Sequence, residues 1–281
     1  MRIVRTITEV RAAIRDAGTR KARVGFVPTM GAFHKGHSSL MRAARSACDV
    51  VVVSLFVNPA QFADKSVFHS YPRDEQRDAT LAQAEGVDLL FAPEADEMYP
   101  PGFSTGIAVS GHLVETLLRT GLSKDGQLEG MCTVIVKLLN IVQPDVTYFG
   151  EKDLPHWIAV ERMALDLNIP SAIKVLPTVR DADGLAMSSR NVQLGPHRAR
   201  AVCVPRALRA ALNVITQGER DPEKARVCAL AELSGDEHVE AEYVEILDTR
   251  TLQPVRDLSH PAVVAVGARV GGVALLDIAR T

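Results

Sequence analysis

The sequence predicts an α/β fold, in which a doubly wound, mostly parallel domain is followed by a smaller α+β domain. Three observations carry this expectation. Short β-branched runs alternate with helical stretches through the first 177 residues, the rhythm of strand–helix–strand units. The run at 50–57, Val50-Val51-Val52-Val53-Ser54-Leu55-Phe56-Val57, is nearly continuous in apolar residues, as in a strand covered on both faces. Beyond Pro177 the pattern changes to a polar turn, two helices and three closing strand-like runs.

Each element follows from local chemistry. Thr6-Ile7-Thr8-Glu9 has the form of a capping box, and Val10, Ala13 and Ile14 give the next segment a helical face. Residues 24–27 read as a buried strand that leads into Pro28-Thr29-Met30-Gly31-Ala32-Phe33-His34-Lys35-Gly36-His37. From Gly36, Leu40, Met41, Ala44 and Ala47 recur at helical spacing. The strand at 50–57 stops at Asn58-Pro59. A polar helix over 73–85 ends at Gly86 and feeds a strand at 87–91. An apolar helix at 130–142 is halted near Pro144, with a short strand at 146–149. Asp153 is placed to cap a helix that carries Pro155 in its first turn, where proline is tolerated. A strand at 173–176 closes the first domain. Arg180-Asp181-Ala182-Asp183-Gly184 is a polar turn, followed by helices at 197–216 and 222–233 and strands at 242–247, 262–266 and 273–278. The domains expected are 1–177 and 178–281.

Composition narrows the function classes. With 281 residues, 47% hydrophobic and 23% charged, the chain is long enough to bury a sizeable core. A formal charge of −2 gives no overall pull toward nucleic acid or anionic membrane, so an anionic ligand needs local cations. Four cysteines without a C-x-x-C pair argue against a structural zinc site and suit a reducing cytoplasm. The N-terminus lacks the apolar block of a signal peptide, and no apolar run is long enough to span a bilayer.

The candidate chemistry begins with His34 and His37, three apart where a strand passes through a glycine-marked turn into a helix. Such joins are where α/β folds hold nucleotides. The pair has three readings: a metal pair, a phosphate-contacting pair, or two surface imidazoles. Zinc would need a third protein ligand, and neither H-E-x-x-H nor a thiolate cluster offers one. Phosphate contact would need cations elsewhere. They occur at Gly150-Glu151-Lys152-Asp153 and at Met187-Ser188-Ser189-Arg190, the latter read either as an exposed polar loop or as a mobile phosphate clamp. Gln61, after Asn58-Pro59-Ala60, is either a turn residue facing water or an amide that donates to and accepts from a small polar substrate. Neither a P-loop nor a G-x-G-x-x-G fingerprint is present.

Taken together, these stretches resemble the pantothenate synthetase (pantoate–β-alanine ligase) family of the nucleotidyltransferase superfamily. The matching segments are F-V-P-T-M-G-A-F-H-K-G-H at 26–37, V-V-V-S-L-F-V-N-P-A-Q-F at 51–62 and Y-P-R at 71–73. Further along lie E-M-Y-P at 97–100, T-V-I-V-K-L-L-N-I-V-Q-P-D at 133–145, F-G-E-K-D at 149–153 and P-T-V-R-D-A-D-G-L-A-M-S-S-R-N at 177–191. They cover most of the first 190 residues in the family's order. The resemblance implies a Rossmann-like nucleotidyltransferase domain and a two-step reaction. ATP and a hydroxy acid such as pantoate give an acyl-adenylate and pyrophosphate, and β-alanine then displaces AMP. It implies an ATP site of Met30, Gly31, His34, Gly36, His37, Gly150, Glu151, Lys152, Asp153, Val179, Met187, Ser188, Ser189 and Arg190. Within it His37, His34, Lys152 and Arg190 are the catalytic phosphate contacts, His37 in an acid role. Asn58, Gln61 and His156 would lie on the side of the acid and amine. The second domain would be a lid over ATP, magnesium would accompany the triphosphate without protein side-chain ligands, and the protein would be a cytoplasmic homodimer.

The chain departs from the family on the acid side. Lys124-Asp125-Gly126-Gln127-Leu128 stands where R-P-G-H-F is usual, and His156 where a pantoate-binding glutamine is usual. Ala63-Asp64-Lys65-Ser66-Val67-Phe68 replaces G-P-N-E-D-F, and Val273-Ala274-Leu275-Leu276-Asp277 replaces T-R-L-I-D. Lysine lacks arginine's planar fork, and a hydrogen-bonding pocket discriminates strongly when one partner changes. These departures read either as drift within the family or as the mark of a sister ligase with another acid or amine. A third reading, an inactive nucleotide-binding regulatory paralogue, would be favoured by loss of His37, Lys152 or Arg190, and all three are present.

Overall fold

A computed structural model of the chain describes residues 1–18, 22–62, 64–123, 126–249 and 251–281. Of the departures noted above, Ala63, Lys124 and Asp125 lie outside the described residues. The chain divides into two compact units, Met1–Val109 with Asp125–Pro177, and Ser110–Lys124 with Thr178–Thr281. The division falls at 177, and the second unit also takes in 110–124, which the sequence places in the first domain. The reason lies in that unit's own contacts. Gln253 donates to the Thr116 hydroxyl at 3.0 Å, and Gly121 packs against the ring of Tyr243.

In the first unit, strand β1 (Arg2–Val4) and helix α1 (Ile7–Gly18) lead to strand β2 (Val24–Thr29) and helix α2 (Lys35–Ala47). Strand β3 (Val50–Leu55), helix α3 (Lys65–Ser70), helix α4 (Glu75–Ala84), strand β4 (Leu89–Phe91) and helix α5 (Ala95–Met98) follow. Helix α6 (His112–Arg119) belongs to the second unit. Helix α7 (Gln127–Val142), strand β5 (Val146–Gly150), helix α8 (Leu154–Asp166) and strand β6 (Ala172–Leu176) complete the first. The Thr6 capping box forms as expected, since the Thr6 N–H donates to the Glu9 carboxylate at 2.9 Å and the Glu9 N–H to the Thr6 hydroxyl at 3.2 Å. The sequence reading passed over β1, α3, α5 and α6, all too short to carry a clear period.

The six strands form one parallel sheet in the order β1-β4-β3-β2-β5-β6. Strand order reverses at β2: the chain goes to β3 and β4 on one side, then returns to β5 on the other. This makes the carboxyl ends of β2 and β5 the topological switch point, where open α/β sheets bind ligands. The strands also part there. β2 pairs with β3 as far as Thr29 but with β5 only at Gly25 and Phe26. Pro28, which has no N–H to donate, falls where the β5 pairing has ended, the place a central strand tolerates proline. Val27, Phe33, Met41, Val51, Val53 and Leu90 pack between the sheet and its helices.

The second unit pairs strands β7 (Val239–Asp248), β8 (Ala262–Val270) and β9 (Val273–Arg280) into an antiparallel sheet. Helices α9 (Cys203–Thr216) and α10 (Pro222–Leu233) share its core through Val204, Leu208, Leu233, Val264 and Val266. The helix expected from His197 starts later, at Cys203. Gly195 at φ 48° and Pro196 break the segment before it into short 3-10 turns. Among the described residues, no helix is long and apolar enough to cross a membrane.

Gly130 in α7 fixes how α7 meets the turn after β3. A Cβ there would lie 2.1 Å from the Ala60 carbonyl oxygen, far inside contact distance. Helix propensity alone makes Gly130→Ala stabilising by about 1 kcal/mol. The close approach reverses the sign, and a loss of about 1–3 kcal/mol is expected. Denaturant titration checks this, and a raised midpoint would show that the contact yields.

Candidate active site

The turn after β2 is shaped by one buried carboxylate. Asp78, in α4 and 1% exposed, accepts the N–H of Ala32 and the N–H of Phe33, each at 2.7 Å. Burial raises its pKa, and the two backbone donors oppose that rise by favouring the anion. Those bonds hold Gly31 at φ 89° and Ala32 at φ 52°, the left-handed region that a residue with a Cβ adopts only under constraint. A side chain at Gly31 would also meet Leu55 at 2.6 Å. The sequence places position 78 in a polar helix over 73–85 and gives it no separate role. Its signal was the place of Asp78 one turn before buried Ala82, on the inward face.

The turn delivers two histidines to the start of α2. His34 is the N-cap, and its Nδ1 accepts the Gly36 N–H at 3.1 Å. The His34 N–H in turn donates to His37 Nδ1 at 3.2 Å, so the two imidazoles close a capping box. A neutral imidazole that accepts at Nδ1 carries its proton on Nε2. Both rings, 4.1 Å apart between centroids, therefore hold an Nε2–H donor at a helix N-terminus. Burial first, then the charges of His34 and Lys152, push the His37 pKa down to about 3 against the pull of Asp153. Met30 is half-buried at the end of β2, ahead of Gly31.

The turn after β5 brings the matching cation. Gly150 ends the strand, and Glu151–Asp153 form a 3-10 turn. Trp157, in α8 and 7% exposed, anchors this turn by donating to the Glu151 carbonyl at 3.1 Å. The sequence reading gave Trp157 no role, and an apolar helix position carries no signal of one. Lys152 Nζ lies 3.2 Å from the Asp153 carboxylate. Burial resists ionisation of Asp153, but Lys152, His156 and His37 together hold its pKa below the ordinary range. Asp153 occupies the N-cap position of α8 yet makes no side-chain cap bond there, contrary to the capping role expected of it. Pro155 at the second helical position has no N–H to offer, and the carboxylate turns to Lys152 instead.

Asn58 and Gln61 follow β3. Asn58 is fully buried, and its amide is committed within the protein. Nδ2 donates to the Gly130 carbonyl at 3.0 Å, and Oδ1 accepts from the Ala60 N–H at 3.2 Å and the Tyr99 hydroxyl at 2.8 Å. Burial pushes the Tyr99 phenol up to about 12, keeping it a donor. These bonds cap the short turn Pro59–Gln61, which Gln61 closes through its own N–H to the Asn58 carbonyl. Asn58 thus fixes the place of Gln61. Among the altered segments, residues 65–68 form part of α3, capped by Asp64 through the Ser66 N–H at 2.7 Å, and Gly126 is the N-cap of α7.

The remaining predicted residues form a second group, in the second unit. The Met187 N–H donates to the Val179 carbonyl at 2.9 Å. Ser188 caps the following turn by accepting the Arg190 N–H at 3.3 Å, Ser189 opens that turn, and Arg190 is exposed with Nη1 3.4 Å from the Ala274 carbonyl. A hollow of about 390 Å³ between Leu118–Gly121 and Ala241–Glu245 contains none of the predicted residues. Among the described residues, no three His, Cys, Asp or Glu side chains gather in a way that could hold a metal ion.

The tautomer and acidity of His37 are directly measurable. Between pH 6.5 and about 3 the unfolded chain binds a proton at this position that the folded chain does not. Its contribution to stability is therefore full above pH 6.5 and declines as the pH falls through that window. Imidazole ¹⁵N spectra should show His37 as the neutral Nε2–H form at pH 5.5, where a free histidine is mostly protonated. Titration near 6.5 would remove the constrained pair from the account.

A model of the family described as pantoate-beta-alanine ligase matches residues 2–280. The pantothenate synthetase of Heliobacterium modesticaldum is 46% identical over 278 residues, covering 99% of this chain and 98% of that protein. That of Pelotomaculum thermopropionicum is 44% identical with the same coverage. Among solved structures, pantothenate synthetase from Thermus thermophilus superposes with a TM-score of 0.93 at 42% identity, covering 99% of both chains. Pantoate-beta-alanine ligase from Francisella tularensis, solved with beta-gamma ATP and beta-alanine, gives a TM-score of 0.76 at 30% identity, covering 99% of this chain and 97% of that one. With this fold, these motifs in order and these relatives along its whole length, the chain belongs to the pantoate–β-alanine ligase family.

Proposed function

We propose that the chain joins pantoate to β-alanine at the expense of ATP, releasing AMP and pyrophosphate. The observation that carries this reading is the imidazole capping box of His34 and His37, with His37 held neutral, beside Lys152 and Asp153 at the sheet's switch point. In the first step a pantoate carboxylate oxygen attacks the α-phosphorus of magnesium-bound ATP. The new P–O bond forms as the bond to pyrophosphate breaks. In the second, the β-alanine amine attacks the acyl carbon, loses a proton and expels AMP. Neither step needs a protein nucleophile, only positioning and donors where charge gathers on phosphate oxygens.

His34 and His37 supply Nε2–H donors to those oxygens. Because His37 is neutral before the nucleotide arrives, its acid role is hydrogen-bond donation with no proton lost to the phosphate. Lys152 supplies a fixed charge, and Met30, Gly31, Gly36, Gly150, Glu151 and Asp153 line the nucleotide. Val179, Met187, Ser188, Ser189 and Arg190 form the phosphate loop of the second unit, which acts as a lid. Gln61 contacts the acid and the amine from the turn that Asn58 builds, and His156, in the first turn of α8, meets the pantoate side.

A cytoplasmic location fits the four unpaired cysteines. A homodimer fits the exposed apolar side chains of Leu165 and Leu167, which are 68% and 49% exposed. The whole-length relatives at 44–46% identity favour pantoate and β-alanine over a sister ligase's substrates.

ATP–pyrophosphate exchange across a panel of hydroxy acids, followed by a panel of amines, tests the proposal. Exchange is expected with pantoate, and turnover with β-alanine. Exchange only with another acid would replace the substrate, and exchange with none would indicate a regulatory paralogue. His37→Ala and Lys152→Ala should each lower exchange about a hundredfold, since one lost contact of this kind costs about 3 kcal/mol. A near-full rate at saturating ATP would remove that residue from the mechanism.

A further inference from the structure

The segment bearing Met187, Ser188, Ser189 and Arg190 is held by a set of bonds within its own unit. Arg180 and Ala186 pair as an antiparallel bridge. The Asp181 N–H donates to the Leu185 carbonyl at 2.8 Å, and the Met187 N–H closes the hairpin on Val179 at 2.9 Å. Beyond it, Asn191 Nδ2 donates to the Ala186 carbonyl at 3.1 Å, and the Asn191 N–H to the Ser188 carbonyl at 3.1 Å. Arg198 grips the turn from outside through Asp183 at 2.7 Å and Asp181 at 2.9 Å.

The inner tie is of a different kind. Asp277 lies in β9 with no exposed surface, and the Arg180 guanidinium meets it with both arms, at 2.5 and 3.0 Å. The same guanidinium donates to the carbonyls of Gly184 at 3.0 Å and Ile278 at 3.4 Å, and the Ile278 N–H donates to Asp277 at 2.9 Å. One planar group thereby joins the hairpin to the sheet in a single orientation. A carboxylate in an otherwise apolar strand interior gives little net stability, since desolvation offsets much of the attraction and an apolar side chain would serve the core as well. What the pair supplies is geometry. We infer that Arg180 and Asp277 are positioning residues that preform the 187–190 loop for the nucleotide phosphates, so that binding need not order it. This rests on the proposed reading that the loop meets ATP.

The test combines hydrogen exchange on the full chain, with and without ATP, and the KM for ATP against kcat. In the wild type, the Met187 and Asn191 amides should be protected without nucleotide. Arg180→Lys keeps the charge but loses the fork. It should speed exchange over 181–191 and raise the KM for ATP by about tenfold, the value of one charge-assisted bond, with a smaller change in kcat. Amides of α9 and α10 should keep their protection. Asp277→Asn should act in the same direction and more strongly. Unchanged exchange and unchanged KM in Arg180→Lys would overturn the inference, as would loosening of α9 and α10 together with the loop, which marks a purely structural tie. A loop that loosens while the KM for ATP stays fixed, with no effect of ATP on the wild-type 187–190 amides, overturns it by removing the nucleotide reading on which it rests.

Discussion

The first unit depends on where β2 stops pairing with β5. Two hydrogen-bonded registrations, at Gly25 and Phe26, keep the sheet continuous, and after them the strands separate while β2 continues beside β3. A parallel sheet fully paired to its ends would leave no crevice for the loops that follow. Here each strand delivers its loop into the gap, one carrying His34 and His37 and the other Lys152 and Asp153. The electrostatics register the meeting, since Lys152 and Asp153 both act on the acidity of His37.

The gap sets the position, and buried polar groups set the fine geometry. Asp78 spends both oxygens on the backbone of Ala32 and Phe33, Asn58 spends its amide on Gly130, Ala60 and Tyr99, and Trp157 holds the Glu151 carbonyl. None of these need touch a substrate to matter. Each fixes the backbone of a loop that carries candidate site residues, which is how a site is kept within a fraction of an ångström of its working shape. The tight fit of Gly130 against Ala60 belongs to the same set, because it leaves the turn before Gln61 no room to shift.

The sequence was most legible where pattern and chemistry coincide. The continuous β-branched run of β3 and the Thr6–Glu9 cap have local causes, and the structure has both. The histidine pair, Lys152 and the Met187–Arg190 segment stood out because their residue types are unusual at such joins. Asp78, Trp157 and Asp277 did not, because what marks them is burial against residues distant in the chain. Asp277 touches Arg180 across 97 positions, and no window of sequence contains that contact. The α6 segment was assigned to the first unit for a similar reason, since its partners Tyr243 and Gln253 come more than a hundred residues later. Asp153 shows the reverse case: a capping residue in the right place was drawn away by the neighbouring lysine.

The capping box made by the two imidazoles has a consequence for how this helix end meets acid. A protonated imidazole has donors at both nitrogens and can accept nothing, so a proton on either ring must eject the backbone N–H that its Nδ1 was holding. The new cation would then face the positive end of α2, which repels it. Uptake of one proton therefore breaks the cap bond accepted by that ring and loosens the first turn of the helix. The same two bonds that begin α2 act as a latch that only neutral rings can close, and the helix start and the candidate phosphate site share one protonation state.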